Sequence, residues 1–433
     1  MSSKASRAEI ASWCLYDFAD SSFTTLIVTV AYALYFRSVV AGHLGAKANF
    51  YWGLCIALSM TLVALTSPAL GAMADVSGRK KAFLAAFALT AIVFTALLAS
   101  VGPGDLLARM LLFIFANIGY EGAHTFYNGF LPEIASDQEM GRVSGYGWAT
   151  GYLGGLAALV LTRPLTRAGL GPEAIDRYRL AFPAVALFYL AFALPIFFVL
   201  RERAPRGQAA LGATVRESFR RLAGTFGQVR RLRDLFLYLV AFFVYNDTVM
   251  TVISFAAIYA TQAVGFTVDQ VTLLFIVMQV TAFAGALATG HLVDRWGAKP
   301  TIVLTLFVWG GVVAGASLSR SVPVFFAVAT AASIVMGATQ AASRSLMGLL
   351  IPRGRNAEFF GFYAFTGKIS AIIGPLVYGW VAAHTGSDRR AVLSLLPFLA
   401  LGLILLLRVD VARGRAAAGH PPEARGAGGS VAS

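Results

Sequence analysis

Gly71-Ala72-Met73-Ala74-Asp75-Val76-Ser77-Gly78-Arg79-Lys80-Lys81 has a counterpart later in the chain, Gly290-His291-Leu292-Val293-Asp294-Arg295-Trp296-Gly297-Ala298-Lys299-Pro300. Gly, Asp and Gly recur at a single offset of 219 residues. Glycine permits a tight turn and a close approach of helices. An Asp at a helix boundary can accept hydrogen bonds from backbone N–H groups or pair with a basic neighbour. One copy alone reads equally well as an ordinary basic turn. Two copies in matching places mark an internal duplication, the plan of a transporter built from two related halves. The candidate gating residues are therefore Gly71, Asp75, Gly78 and Arg79, with Gly290, Asp294 and Gly297 in the second copy.

Each copy follows the second apolar segment of a set of six. Twelve such segments fall near 13–37, 50–73, 82–101, 106–131, 143–163, 180–200, 234–262, 268–292, 300–319, 322–350, 359–383 and 391–408. A membrane-spanning helix needs about 20 apolar residues, so each segment is a candidate span. The composition agrees: of 433 residues, 58% are hydrophobic and 13% charged. That balance excludes a soluble enzyme and a disordered protein. The expected organisation is a six-helix bundle over 1–200, a cytoplasmic linker over 201–233, a second bundle over 234–408 and a disordered tail over 409–433.

The net charge of +14 has an address. With the N-terminus in the cytoplasm, 23 of the 35 Lys and Arg residues lie on the inner side, nine of them within 201–233. The positive-inside rule then places both termini in the cytoplasm and argues against a nucleic-acid partner. Arg163, Arg167, Arg177 and Arg179 run against that bias. In the linker, Val215, Phe219, Leu222, Phe226 and Val229 repeat at helical spacing among Arg216, Arg220 and Arg230, which reads as an amphipathic helix on the lipid surface. Cys14 and Cys55 form no disulfide framework or zinc pattern. The first apolar segment reads as a retained helix rather than a signal peptide. No ATP-binding signature or cofactor motif is present, so energy for uphill movement would come from an ion or solute gradient.

The repeat is similar to the cytoplasmic signature of the major facilitator superfamily. That resemblance implies an all-α membrane protein with twelve helices in two pseudo-symmetric six-helix bundles. It also implies that Asp75 and Arg79 form a gating cluster locking the halves together. Ala298 stands where the second copy would have Arg, which implies a weaker cluster there. A narrower resemblance rests on Trp13-Cys-Leu-Tyr16-Asp17-Phe-Ala-Asp20, Tyr127-Asn128-Gly-Phe-Leu131-Pro132-Glu133, Tyr245-Asn246-Asp247, Gln340-Ala-Ala-Ser343-Arg344, Phe360-Gly361-Phe-Tyr363 and Gly374-Pro375. These look like the fungal vacuolar amino-acid effluxers linked to autophagy and their bacterial relatives. Asp20 stands where that branch usually has Asn.

Ionisable groups inside a membrane are costly and usually face a wet cavity or a partner. Here they are Asp17, Asp20, Glu121, His124, Asp247, Arg344 and Lys368. In the superfamily, helices one, four, seven and ten line the central cavity, and all but Lys368 lie on these four. Asn117, Glu121, His124 and Asn128 share one face of the fourth helix, as do Ser333, Gly337, Gln340 and Arg344 of the tenth. Asp247, Thr251 and Ser254 do the same in the seventh, beside Asn246. Asp20, Asp247, Glu121 and Asp17 are the candidate proton-coupling acids. Arg344 and Lys368 are candidate anchors for a carboxylate. Glu121 and Arg344 read equally as a structural ion pair, and Lys368 as the partner of an acid near the inner gate. Tyr35, Phe36, Tyr51 and Trp52 read as headgroup anchors.

The leading expectation is a monomeric secondary transporter in a bacterial plasma membrane. It would move a small solute, such as an amino acid or other carboxylate, by proton-coupled alternating access. A membrane-embedded enzyme acting on lipid and a transporter-like receptor are the competing readings.

Overall fold

The computed structural model describes residues 5–45, 47–100, 106–203, 217, 227 and 232–420. Most of the expected amphipathic linker helix therefore lies outside the described residues. Twelve long helices follow one another: α1 (Arg7–Val40), α2 (Lys47–Ser77), α3 (Lys80–Leu97), α4 (Leu106–Gly129), α5 (Met140–Thr166) and α6 (Ala181–Val199) make one half. The other half is α7 (Arg233–Tyr259), α8 (Val268–Trp296), α9 (Ala298–Leu318), α10 (Val322–Leu350), α11 (Asn356–Thr385) and α12 (Leu396–Leu407).

Local chemistry sets the helix ends. Ser6 and Glu9 close a capping box at the start of α1, and Thr267 and Gln270 do the same for α8. Gly78 and Gly297, the last glycines of the two repeats, take φ of 63° and 94°. This is backbone that a side chain resists, and it is why each repeat loop turns there.

Among the described residues, eleven spans are long and apolar enough to cross a membrane, the last of them running over Asp388–Leu407 and including α12. The helix that falls short of the expected twelve in apolarity is α5, although it has 27 residues. Its sequence spends Gly141, Gly145, Gly147, Gly151, Gly154 and Gly155 on contact rather than on hydrocarbon. A methyl group on Gly154 would run into the Phe18 carbonyl of α1, and one on Gly145 would sit 2.6 Å from the Ala286 carbonyl of α8. Small residues that let backbones touch are how helices pack where lipid supplies no hydrophobic drive.

Within the first half, α1 packs on α5 and α6, and α4 on α2 and α3. Within the second, α7 packs on α11 and α12, and α10 on α8 and α9. The halves meet through two broad seams, α5 against α8 and α2 against α11. Tyr35 and Phe36 are not headgroup anchors: they are buried in an aromatic cluster with Tyr32, Trp52, Phe113 and Phe182. The residues turned outward are aliphatic and Phe side chains such as Leu65, Leu187, Phe198 and Phe307, as a lipid-facing surface requires.

The tail also differs from its expected disorder over 409–433. Val411–Ala417 is a helix, capped by the Asp410 side chain, which accepts the Arg413 N–H at 3.0 Å. The sequence hides it because Ala and Gly give no apolar period, and the ordering comes from ion pairs to other segments. Residues 421–433 lie outside the described residues.

Candidate functional site

The two repeats build matching latches across the seams. Asp75, at the end of α2, accepts the N–H of Ala357 at 3.2 Å and of Glu358 at 2.8 Å. These are the second and third residues of α11, whose first-turn N–H groups have no partner inside the helix. Asp294, at the end of α8, accepts the N–H of Gly141 at 2.9 Å and of Arg142 at 3.3 Å, the same positions of α5. Each carboxylate thus sits at the positive end of a helix belonging to the opposite half. Gly71 and Gly290 let the backbones come together: a methyl on Gly71 would collide with the Ala357 carbonyl, and one on Gly290 would lie 3.0 Å from the Gly141 carbonyl.

The cations differ from expectation. Arg79 does not serve Asp75; it is exposed and lines a surface cleft with Lys81, Phe198 and Glu202. Lys80 serves instead, 3.6 Å from Asp75 and ion-paired with Glu133 in the short helix Leu131–Ile134 that follows α4. Lys81 instead donates to the Leu200 carbonyl at 2.7 Å. Nor does Ala298 leave the second latch without a cation. Arg142 supplies it from the other half, with Nε 2.7 Å from Asp294.

A second layer lies between the helices, around a buried guanidinium. Arg344 of α10 donates to Ser144 Oγ at 3.0 Å and to the Ser144 carbonyl at 2.6 Å. It also reaches Asp17 Oδ2 and Asn128 Oδ1, each at 3.3 Å. Tyr127 donates to the same Asp17 oxygen at 2.9 Å. The rings of Trp13, Trp148 and Tyr127 lie 4.9, 5.3 and 5.7 Å from the guanidinium carbon. Gly147 makes the room, since a methyl there would sit 2.6 Å from Arg344 Nη2. A buried cation persists only with such partners. Arg344 therefore pairs with Asp17, not with Glu121 as the sequence suggested. The helix rotations that decide between two nearby acids cannot be read from one-dimensional spacing.

Glu121 pairs with Lys368, joining α4 to α11 and so one half to the other. Both members are partly exposed, at 14% and 11%. One helical turn along, His124 Nε2 lies 3.0 Å from Asp20 Oδ2, with the imidazole 25% exposed and the carboxylate buried. Tyr120 stacks edge-on against that imidazole. Three residues after Asp20, α1 widens into π-helical turns over Phe23–Val30, a geometry frequent at functional sites.

Other candidates lie elsewhere. Asn117, one turn before Glu121 on α4, is buried and donates to Ser59 of α2 at 2.6 Å. Asn246 donates to Ser370 at 2.8 Å and to the Gly367 carbonyl at 3.4 Å, tying α7 to α11. Asp247 Oδ1 accepts the Gly374 N–H at 2.6 Å, next to Pro375. Thr251 donates back to the Asp247 carbonyl at 2.7 Å. Gln340 is half-buried on α10. Asn246, Asp247 and Thr251 thus brace the second half internally. Trp13, Trp148 and Ser144 are the members of the Arg344 site that spacing did not disclose. The glycine at 147 was the available signal, because a glycine among large aromatics marks a close approach.

Comparison with known proteins gives the family and the fold. Residues 46–419 match the family described as vacuole effluxer Atg22 like. The MFS-type transporter YxiO of Bacillus subtilis is 30% identical over 401 residues, covering 91% of this chain and 93% of that protein. Autophagy-related protein 22 of Kluyveromyces lactis is 25% identical over 337 residues, covering 70% of this chain and 68% of its own length. Among solved structures, the human organic anion transporter MFSD10 superposes with a TM-score of 0.72 at 16% identity, covering 92% of this chain and 99% of that one. The proton:xylose symporter XylE gives 0.72 at 15% identity, covering 94% and 96%. These structures share the fold, and the reading as a lipid-modifying enzyme falls with the family match. The chain belongs to the Atg22-like vacuole effluxer family and is an integral membrane transporter with the twelve-helix, two-bundle major facilitator fold.

Proposed function

We propose that this transporter is a proton-coupled secondary carrier that exports a small zwitterionic or carboxylate solute by alternating access. The observation that carries the reading is the Lys368–Glu121 pair. It joins the two halves, and both of its members keep some exposure. A solute bearing an ammonium and a carboxylate replaces the pair charge for charge: its carboxylate takes Lys368 and its ammonium takes Glu121. An amino acid has that form. Arg344 is a poorer anchor than the sequence suggested, because its hydrogen-bonding directions are already occupied.

The proton path runs through Asp20 and His124. A buried carboxylate hydrogen-bonded to a partly exposed imidazole gives a proton both an entry and a resting place. Asp17 stays with Arg344 as a fixed charge. Asp247 is the second coupling acid: Oδ1 holds the Gly374 N–H, and Oδ2 is buried with no hydrogen-bond partner among the described residues. A proton there adds a donor beside Gly374 and Pro375, within α11. The repeat loops and both termini lie in the cytoplasm of a bacterium, so the latched conformation is closed to the cytoplasm and faces outward. The protein works as a monomer.

The test is counterflow in proteoliposomes with a panel of labelled zwitterionic amino acids and simple carboxylates. Export coupled to protons predicts exchange of at least one of them and uphill movement under a pH gradient. Asp247→Asn retains exchange and loses the uphill component, and Lys368→Gln raises KM at least about tenfold. Absence of exchange across the whole panel, with and without the gradient, ends this reading. Uphill movement by Asp247→Asn removes that residue from coupling.

A further inference from the structure

The segment after α12 crosses from one half to the other. Its root is fixed to the second half: Arg413 grips Asp234 of α7 with two contacts of 2.7 Å, and the Asp410 N–H donates to Asp234 at 2.8 Å. Lys299 of α9 donates to the Leu407 and Val409 carbonyls at 2.8 and 2.7 Å. Gly414 sits so close to α10 that a methyl there would lie 2.7 Å from Leu350 Cδ2. The next residue, Arg415, reaches the first half, with Nη2 2.6 Å from Asp137 Oδ2. His420 then donates from Nε2 to the Ile351 carbonyl of the second half at 2.8 Å, with its Nδ1 3.8 Å from Asp137. Asp137 lies in the short connection between α4 and α5, three residues before the start of the helix that Asp294 caps.

We propose that residues 409–420 are a strap across the latched end of the molecule, which must release Asp137 for that end to open. The asymmetry of its anchors supports this. The root has a two-pronged ion pair, a capped helix and three backbone contacts, all within one half. Among the described residues, the crossing rests on Asp137, which is 30% exposed and meets Arg415, 8% exposed, at 2.6 Å and His420 at 3.8 Å. When the halves part, the strap stays with the second half and Arg415 leaves its carboxylate. Its strength adds to that of the two aspartate latches and so biases how often this end opens.

The proposal rests on the reading that the halves rock apart at this end, and the test separates the two ideas. Spin labels are placed at Gln138 and Arg353, both exposed and on opposite halves, in the full-length chain with Cys14 and Cys55 changed to Ser. Distances are measured by pulsed electron spin resonance in nanodiscs. Arg415→Gln is expected to raise the open-to-closed ratio about three- to fivefold, the range of a modest ion pair. Arg415→Lys returns much of that loss. The reversed pair Asp137→Arg with Arg415→Asp restores the parent distribution. A reference chain carries Asp75→Asn and Asp294→Asn. If that chain opens while Arg415→Gln matches the parent, the strap is wrong and the rocking stands. If neither ever shows the long distance, both are wrong.

Discussion

The two repeat loops make the same connection with different materials. Both aspartates hold the second and third N–H groups of a helix from the opposite half. The first copy is deep: Asp75 and Lys80 are each 2% exposed, and the cation comes from the same loop. The second is shallow: Asp294 is 12% and Arg142 40% exposed, and the cation comes across the seam. A duplicated sequence therefore conserves the backbone contact at each site and leaves the cation to whichever neighbour can reach. The first latch is built as structure, held by burial, and the second as a contact that water can compete for.

Removing the cations tests that difference most strongly. Lys80→Met leaves Glu133 and Asp75 buried without it, and breaking a buried pair from one side costs about 3–5 kcal/mol. The expected result is a large fall in melting temperature, read by fluorescence-detected size exclusion in detergent.

The glycines come next. Gly71→Ala forces α2 away from the α11 backbone and costs about 1–3 kcal/mol, whereas Gly290→Ala, with more room, costs under about 1 kcal/mol. Equal losses from the two changes would remove the distinction in depth. Arg142→Gln has the smallest effect. That side chain is largely solvated, so its loss costs at most about 1 kcal/mol and leaves the Asp294 hydrogen bonds to α5 in place. A loss matching that of Lys80→Met would make the two latches equivalent.

Much of the fold was legible because its signals are local. Apolar runs, breakers and the spacing of Gly71, Asp75 and Gly78 are all properties of neighbouring residues. The offset of the second copy needed only arithmetic. The pairing of charges was less legible. Asp17, Glu121, Arg344 and Lys368 were all visible as buried charges, yet the expected partner for Arg344 was the wrong acid. Spacing along a helix places a residue on a face, but the rotation and depth of that helix against three others decide which acid it meets. The Arg415–Asp137 contact was invisible for a similar reason, since a short Ala- and Gly-rich helix carries no apolar stripe to announce that it docks.

The sequence by itself determined the membrane character, the duplicated plan, the two glycine turns and the set of charges that must find partners, because composition and short-range spacing dictate these directly. The tertiary structure alone decided that each aspartate caps a helix of the opposite half. It also decided that Arg344 belongs to Asp17 and Lys368 to Glu121, and that the chain end crosses the seam. The physical reason is that burial makes an unpaired charge expensive, so every intramembrane charge must be matched. Asp247, held by a backbone N–H alone, is the exception among these residues, and for the others which match is made depends on distances of a few ångströms that only packed helices define.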